Sequence, residues 1–145
     1  DSAGVITRFI DMGIEPFLIA SVLIVSFAQR LVRTVCPYCM EPYRPSDKAL
    51  ADFGITSQEA ENANFQRGKG CTQCNNTGYK GRTGVFEVLA IDEAIQDMIV
   101  NQRSSPEITR AAVAAGKLKT LQKDAANKVM KGITTLEEAV AAVMS

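Results

Sequence analysis

The sequence contains no histidine, and this absence limits the chemistry that the chain can perform. Histidine is the commonest general base, the commonest metal ligand and the usual switch at physiological pH. Catalysis by this chain would therefore depend on carboxylates, lysine, arginine, tyrosine or cysteine. Any metal site must likewise be built without imidazole.

The chain also lacks a net charge, because sixteen basic residues balance sixteen acidic ones. The basic residues are spread along the sequence rather than gathered in one run. No overall field attracts a polyanion, so the composition does not indicate a nucleic-acid-binding protein. A length of 145 residues with 46% hydrophobic content is ordinary for one globular domain, or for a core with a small satellite module.

No apolar stretch is long enough to predict a membrane span. The stretch from Phe17 to Ala28 lies between Glu15 and Arg30 and falls short of the about 20 apolar residues that a spanning helix needs. We therefore expect no transmembrane segment. Pro16 to about Ala28 is instead predicted to form a helix covered by neighbours on all sides, which implies a larger core than these residues alone provide. The sequence also begins without methionine or a signal-peptide layout, and we expect a piece of a longer protein.

Local signals predict mostly helices, with two strands. Strands are predicted for Arg30 to Val35 and for Val85 to Ile91, while the glycines from Gly68 to Gly84 predict tight turns. The C-terminal third is predicted to form a small helical layer. Helices are predicted from capping residues, proline and terminal glycines: one after Asp1 or Ser2 ending at Gly13, Pro16 to about Ala28, Asp47 to Phe53 after Ser46, Ser57 to about Ala63, one after Asp92, one from Ser105 and Pro106 to Gly116, Leu121 to Lys131 before Gly132, and one after Thr135 with Glu138 at capping-box spacing.

The four cysteines form two Cys-x-x-Cys pairs, Cys36 with Cys39 and Cys71 with Cys74. Two residues between thiolates let one tight turn direct both sulfurs at a single ion, and two such turns give the tetrahedral shell that zinc accepts. The segment between the pairs is longer than the ~15–20 residues of compact zinc ribbons, which predicts a substructure of its own. A closed four-thiolate shell leaves no position for water or substrate, so the predicted zinc is structural.

Three other arrangements of these cysteines remain open. Two disulfides would need an oxidising compartment, and paired Cys-x-x-Cys motifs more often hold a metal. A thioredoxin-like redox centre uses one such motif at a helix start rather than two separated copies. A single iron accepts the same four-sulfur geometry, and ligand softness alone does not separate it from zinc.

Longer motifs surround both pairs. The sequence AQRLVR runs directly into C-P-x-C, GY-x-GR-x-G follows the second pair, and GITTLEEAV lies near the C-terminus. Together they resemble the C-terminal end of the type II secretion and type IV pilus assembly ATPases, the GspE and PilB branch of the secretion ATPase superfamily. The resemblance extends from Ala3 to Val143 and is weakest between the cysteine pairs.

The resemblance implies a hexameric, cytoplasmic, RecA-like motor, peripheral to the inner membrane, that drives pilin or pseudopilin assembly by hydrolysing ATP with Mg²⁺. Its implied partners are further copies of itself and inner-membrane platform proteins. The phosphate-binding loop, the Mg²⁺-binding acidic residues and the catalytic Glu would precede Asp1, and no G-x-x-x-x-G-K-[ST] motif occurs in this sequence. We therefore expect no catalytic residue in this chain and no ATP hydrolysis by the chain alone.

The predicted fold is α/β to α+β, with the end of a RecA-like P-loop ATPase core, an inserted four-cysteine zinc module and a C-terminal helical layer. Residues 1–35 are predicted to end the core, 36–80 to form the metal-binding module, and 81–145 to supply a returning strand and a helical subdomain. The module would pass nucleotide-driven motion to a membrane-embedded partner.

Arg30, Arg33 and Arg82 are the candidates for nucleotide contact. Arg30 and Arg33 flank the strand before the first cysteine pair, and basic residues near a subunit boundary of a ring motor can contact a neighbour's nucleotide. A solvated strand face or an ion pair with a carboxylate is the favoured interpretation for both. Arg82 would face either ATP or a carboxylate such as Glu87, and the sequence leaves this open.

The rival hypothesis is a zinc-ribbon module that binds nucleic acid or protein. The neutral charge argues against it, as does the shortage of aromatic residues near the cysteines beyond Tyr38, Tyr43 and Tyr79. The apolar segment before Ala28, which requires a core to cover it, argues against it as well. Secretion and pilus assembly are not distinguished by these patterns.

Overall fold

The computed structural model describes residues 1–144, which form helices and short sheets in an α+β arrangement. The α-helices are α1 (Gly4–Asp11), α2 (Pro16–Val22), α3 (Asp47–Asp52), α4 (Ser57–Glu61), α5 (Glu93–Val100), α6 (Ser105–Ala114), α7 (Leu121–Met130) and α8 (Leu136–Val143). The strands are β1 (Val25–Val35), β2 (Met40–Pro42), β3 (Gln66–Gly68) and β4 (Tyr79–Ala90), with a 3-10 turn at Thr72–Cys74. Strand β1 pairs with β4, and β2 pairs antiparallel with β3.

The chain divides into two compact units, each built from two chain segments. The first unit comprises Asp1–Ala28 and Phe86–Thr120, and the second comprises Gln29–Val85 and the chain from Leu121 onwards. The predicted C-terminal helical layer is therefore divided, because α5 and α6 belong to the first unit and α7 and α8 to the second. The functional segments 1–35, 36–80 and 81–145 stay a prediction.

The first unit has an aliphatic core to which α1, α2, α5 and α6 all contribute. Asp92 caps α5 as predicted by accepting the Ile95 N–H at 3.0 Å, and α1 is followed by Gly13 at φ +89° as predicted. The predicted cap of α1 is wrong, because its N-cap is Ala3 rather than Asp1 or Ser2. The cap of α6 is Ser104 rather than Ser105, one residue earlier than predicted. The core residues are Ala3, Ile6, Ile19, Ala20, Leu89, Ile91, Ile95, Ile99, Ile108, Ala112 and Leu118.

The predicted helix from Pro16 to Ala28 is wrong in its second half. Helix α2 ends at Val22, the backbone adopts an extended conformation at Leu23, and β1 begins at Val25. β-Branched residues lose side-chain freedom in helices and pack well on a strand, and pairing with β4 supplies the backbone hydrogen bonds that a longer helix would have made. Among the described residues, no helix is long and apolar enough to cross a membrane.

The same segment is not covered on all sides within this chain. Phe17 is 70% exposed and Ile24 is 79% exposed, and Val22 and Phe27 also face outward. Only one side of the segment contributes to the core, through Ile19 and Ala20. These exposures agree with the expectation that this apolar segment requires a larger core than the chain provides.

The second unit contains all four cysteines. Its helix signals hold closely: Ser46 caps α3 as predicted, and α4 begins at Ser57 as predicted, after Thr56, which forms a complete capping box with Glu59. Thr135 caps α8 as predicted. The glycine-rich stretch is more regular than predicted, because β3 extends to Gly68 and β4 already begins at Tyr79.

Candidate metal centre

The sulfur atoms of the four cysteines converge on one point. All four Sγ atoms lie within 4.8 Å of one another. Cys36 and Cys71 are 3.8 Å apart, as are Cys39 and Cys74, and Cys71 is 3.7 Å from Cys74, sulfur to sulfur. Four sulfurs at about 2.3 Å from a zinc ion at the centre of a tetrahedron are about 3.8 Å from each other. The cluster therefore has the dimensions of a tetrathiolate metal site.

The strand pairing explains how residues so distant in sequence meet. The first knuckle (Cys36–Cys39) connects β1 to β2, and the second knuckle (Cys71–Cys74) connects β3 to β4. Because β1 pairs with β4 and β2 with β3, both knuckles lie at the junction of the two ribbons. The cysteines are free thiols in the structure, with separations far beyond the about 2.05 Å of a disulfide.

Two glycines allow the knuckles to approach. The N–H of Cys36 donates to the Gly78 carbonyl at 2.9 Å, and that of Lys69 donates to the Cys39 carbonyl at 3.0 Å. A Cβ atom on Gly68 would lie 2.0 Å from the Gly78 oxygen, and one on Gly78 would lie 2.6 Å from the Gly68 oxygen. Any side chain at either position would force the two ribbons apart.

Backbone N–H groups surround the sulfurs. Cys39 Sγ accepts from Gly70 at 3.3 Å, and Cys74 Sγ accepts from Cys71 at 3.4 Å and from Gly78 at 3.2 Å. Such bonds favour thiolates, which are the form that binds metal.

The pKa values of two cysteines diverge. Desolvation, only partly offset by the Gly70 N–H, raises the pKa of Cys39 to about 12. Desolvation acts in the same direction on Cys74, but the N–H groups of Cys71 and Gly78 outweigh it and lower its pKa to about 6. A bound cation would favour the thiolate form of all four cysteines.

The structure places all three candidate arginines on the paired strands, Arg30 and Arg33 on β1 and Arg82 on β4, and their contact with nucleotide stays a prediction. Arg33 pairs with Glu138, Nε to Oε2 at 2.6 Å, and its guanidinium lies 4.2 Å from the centre of the Tyr79 ring. The ion pair, one of the two arrangements favoured for Arg33, is present, and the hydrogen bond to Glu138 raises the pKa of Arg33. Arg30 and Arg82 are exposed on β1 and β4. Glu87, once considered for Arg82, is buried and accepts the Ser2 N–H at 2.8 Å.

A group of polar contacts lies next to the cluster, and the sequence did not predict it. Tyr43 and Tyr79 stand out in the sequence only as aromatic residues near the knuckles. In the structure the Tyr79 hydroxyl lies 2.6 Å from Thr135 Oγ1, and the Tyr43 hydroxyl lies 3.2 Å from Glu137 Oε2. The GITTLEEAV motif was the available signal, since it places polar side chains at the start of α8.

Comparison with known proteins settles the family. The sequence profile described as "Type II/IV secretion system protein" matches residues 1–141. The chain belongs to the type II/IV secretion system protein family. It is 42% identical to the type II secretion system protein E of Pseudomonas aeruginosa over 135 residues, which is 93% of this chain and 26% of that protein.

Other family members match as well. The type IV pilus assembly ATPase PilB of Thermus thermophilus is 43% identical over 97% of this chain and 16% of its own length. The type II secretion system ATPase E of Vibrio cholerae is 42% identical over 94% of this chain and 26% of its own length. The chain thus spans about a quarter or less of these relatives. Secretion and pilus members of the family match it about equally.

Proposed function

We propose that this chain is part of an ATPase that powers type II protein secretion or type IV pilus assembly, and that its role there is to carry a structural zinc centre. The relatives named as ATPases support the first part, because they match nearly the whole chain at 42–43% identity. The four converging sulfurs carry the second part. The alternative, a zinc-ribbon module that binds nucleic acid or protein, lacks comparable support.

The donor set fits a structural zinc ion rather than a catalytic metal ion. All four donors are thiolate sulfurs, so a bound ion has a saturated tetrahedral shell with no open position. Iron accepts the same shell, and elemental analysis of the purified protein separates the two. We expect one zinc per chain. Loss of a metal that contributes on the order of 10 kcal/mol should lower the melting temperature sharply, and an unchanged melting curve after chelation would refute the structural role.

The exposed apolar surface of the first unit supports the proposal of a larger RecA-like core. Phe27 and Val25 on β1 and Phe86 and Val88 on β4 are all exposed in this chain. Soluble monomers rarely leave such contiguous patches uncovered. We propose that the rest of the ATPase core packs here in the longer protein.

A single substitution tests this packing. Phe27→Ser should leave the melting temperature of the present chain nearly unchanged, because the side chain is already 68% exposed. In the longer protein the same change should lower it clearly. Tyr38→Ser, at a side chain 66% exposed on the first knuckle, is the control that should be neutral in both. Equal effects of Phe27→Ser in the two proteins would contradict the proposed packing.

The nucleotide-hydrolysing motifs are proposed to precede Asp1. The coding sequence on that side should contain a phosphate-binding loop, and its absence would refute the proposed motor. The longer protein should hydrolyse ATP with Mg²⁺, whereas the present chain should not. We further propose that the longer protein is a hexamer in the cytoplasm, bound to platform proteins of the inner membrane. Cross-linking of the longer protein and its recovery with membranes test these assignments.

A further inference from the structure

The first knuckle is joined to the start of α8 through the end of β1. Val35, which directly precedes Cys36, donates its N–H to the Ile133 carbonyl at 2.9 Å. Two residues earlier, the Arg33 carbonyl accepts the Thr134 hydroxyl at 2.7 Å. The backbone that leads into the cysteine cluster is therefore bonded directly to the backbone that leads into α8.

The second knuckle contacts the same place from the other side. Tyr79 follows Gly78, whose N–H donates to Cys74 Sγ, and its hydroxyl lies 2.6 Å from Thr135 Oγ1. Thr135 is also the N-cap of α8, accepting the Glu138 N–H at 3.2 Å. The cap of the helix thus contacts a residue whose position depends on the second knuckle.

A third contact comes from the residue that follows β2, the strand after the first knuckle. Tyr43 lies directly after β2, and its hydroxyl accepts the Leu136 N–H at 3.4 Å and donates to Glu137 Oε2 at 3.2 Å. Burial raises the pKa of Tyr43 to about 12, so the hydroxyl remains a donor over the working pH range. Residues 133–138 therefore have hydrogen-bond partners on both sides of the cysteine cluster.

Helix α8 in turn buries apolar surface of the second unit. Leu136 is 3% exposed and Ala139 is fully buried. A groove lined by Phe53, which follows α3, and by Val140 and Met144 continues beside them. Releasing the start of α8 would uncover this surface.

We infer that metal occupancy of the cysteine cluster controls the docking of α8 on the rest of the second unit. With metal bound, the two knuckles are held at tetrahedral spacing, and Arg33, Tyr43 and Tyr79 together hold the start of the helix. Without metal, nothing covalent holds the knuckles together, the three contacts lose their common geometry, and α8 separates with Leu136 exposed. The inference rests on the proposed metal site but not on the proposed motor.

Hydrogen exchange of the zinc-loaded and zinc-depleted protein tests whether loss of metal releases α8. After depletion, amides of α8 should lose protection together with those of the knuckles, while α5 and α6 of the first unit keep theirs. Unchanged protection of α8 in protein shown by elemental analysis to be metal-free would overturn it. A protein that never binds zinc would instead refute the proposed site.

Reciprocity provides a second test that does not depend on unfolding the unit. If bound metal favours docked α8, then weakening the docking must favour metal loss by the same free energy. Tyr79→Phe removes the hydroxyl that contacts Thr135 but leaves the aromatic ring beside Arg33. We expect the zinc dissociation constant, measured by equilibrium competition with a chromogenic chelator, to rise about two- to tenfold, as the loss of one hydrogen bond would give.

The matched control is Tyr38→Phe, which removes the hydroxyl of an exposed tyrosine inside the first knuckle. It should leave both the zinc dissociation constant and α8 exchange unchanged. If Tyr79→Phe also binds zinc with the wild-type dissociation constant while its α8 exchanges faster, docking and metal binding are independent and the inference fails. Weaker zinc binding in Tyr79→Phe alone supports it.

Discussion

Arg33 Nε and Glu138 Oε2, 2.6 Å apart, join the end of β1 to the first turn of α8. The two residues are far apart in sequence, and neither is a cysteine. The Arg33 side chain is about half exposed, whereas Glu138 is 14% exposed. The pair therefore combines a solvated cation with a carboxylate that is largely withdrawn from water.

A double-mutant cycle of Arg33→Gln and Glu138→Gln should show a coupling free energy of about 0.5–1 kcal/mol. Partial exposure of Arg33 keeps the value near that of surface ion pairs. Urea unfolding of the zinc-loaded protein at pH 7 measures it. The exposed pair of Lys48 and Asp52, 3.1 Å apart on α3, is the control and should couple less. Equal coupling in both cycles would show that the burial of Glu138 adds nothing.

Gly68→Ala should prevent the cysteine cluster from closing. Its Cβ would lie 2.0 Å from the Gly78 carbonyl oxygen, and both clashing groups are backbone that cannot rotate away. We expect zinc content well below one per chain and loss of cooperative melting of the second unit. Elemental analysis and calorimetry measure these effects. A variant with full zinc content would show that the two ribbons can separate without opening the site.

Gly132→Ala and Gly116→Ala separate steric crowding from backbone strain. Both glycines have positive φ, +76° and +71°, so an alanine is strained at either position. At Gly132 the new Cβ would also lie 2.7 Å from the Asn64 oxygen, whereas at Gly116 nothing lies within 4 Å. Gly116→Ala should cost about 1 kcal/mol of unfolding free energy. Gly132→Ala should lower the unfolding free energy by clearly more. Equal losses in the two variants would mean that the loop at Asn64 moves aside without an energetic penalty.

Glu59 should make stability depend on acid pH. A hydrogen bond from Lys123, together with those from Thr56, lowers its pKa to about 2. A lowered folded-state pKa means that the stabilisation is fully present above the unfolded pKa of about 4.3 and is lost as pH falls towards 2. The stability difference between wild type and Glu59→Gln should therefore shrink from pH 5 to pH 2. A stability difference that stays constant from pH 5 to pH 2 would contradict this prediction.

Part of the fold was predictable because it depends on local chemistry. The caps at Ser46, Asp92 and Thr135 each depend on a side chain three residues from the N–H that it accepts, so position in sequence is enough. The start of α4 at Ser57 was predicted correctly, and the error at α6 was a single-residue shift between adjacent hydroxyl residues, Ser104 for Ser105. Either hydroxyl can cap, and the final choice depends on where the preceding loop enters.

The apolar run after Pro16 was not predictable in the same way. Its composition suits a buried helix as well as a buried strand, and short apolar runs do not distinguish the two. What decides is the partner: β4 lies far along the chain and offers hydrogen bonds to residues from Val25 onwards. The partner of Arg33 was hidden for the same reason, since no local pattern connects β1 to α8.

The sequence by itself was enough to predict four cysteine ligands in a closed shell and to indicate the family, because ligand type and spacing within each knuckle are local properties. Only the tertiary structure decided that the two knuckles meet at the junction of two ribbons. It also decided that Arg33, Tyr43 and Tyr79 converge on the start of α8. These are relations between segments remote in sequence, and they exist only once strand pairing has brought the segments together.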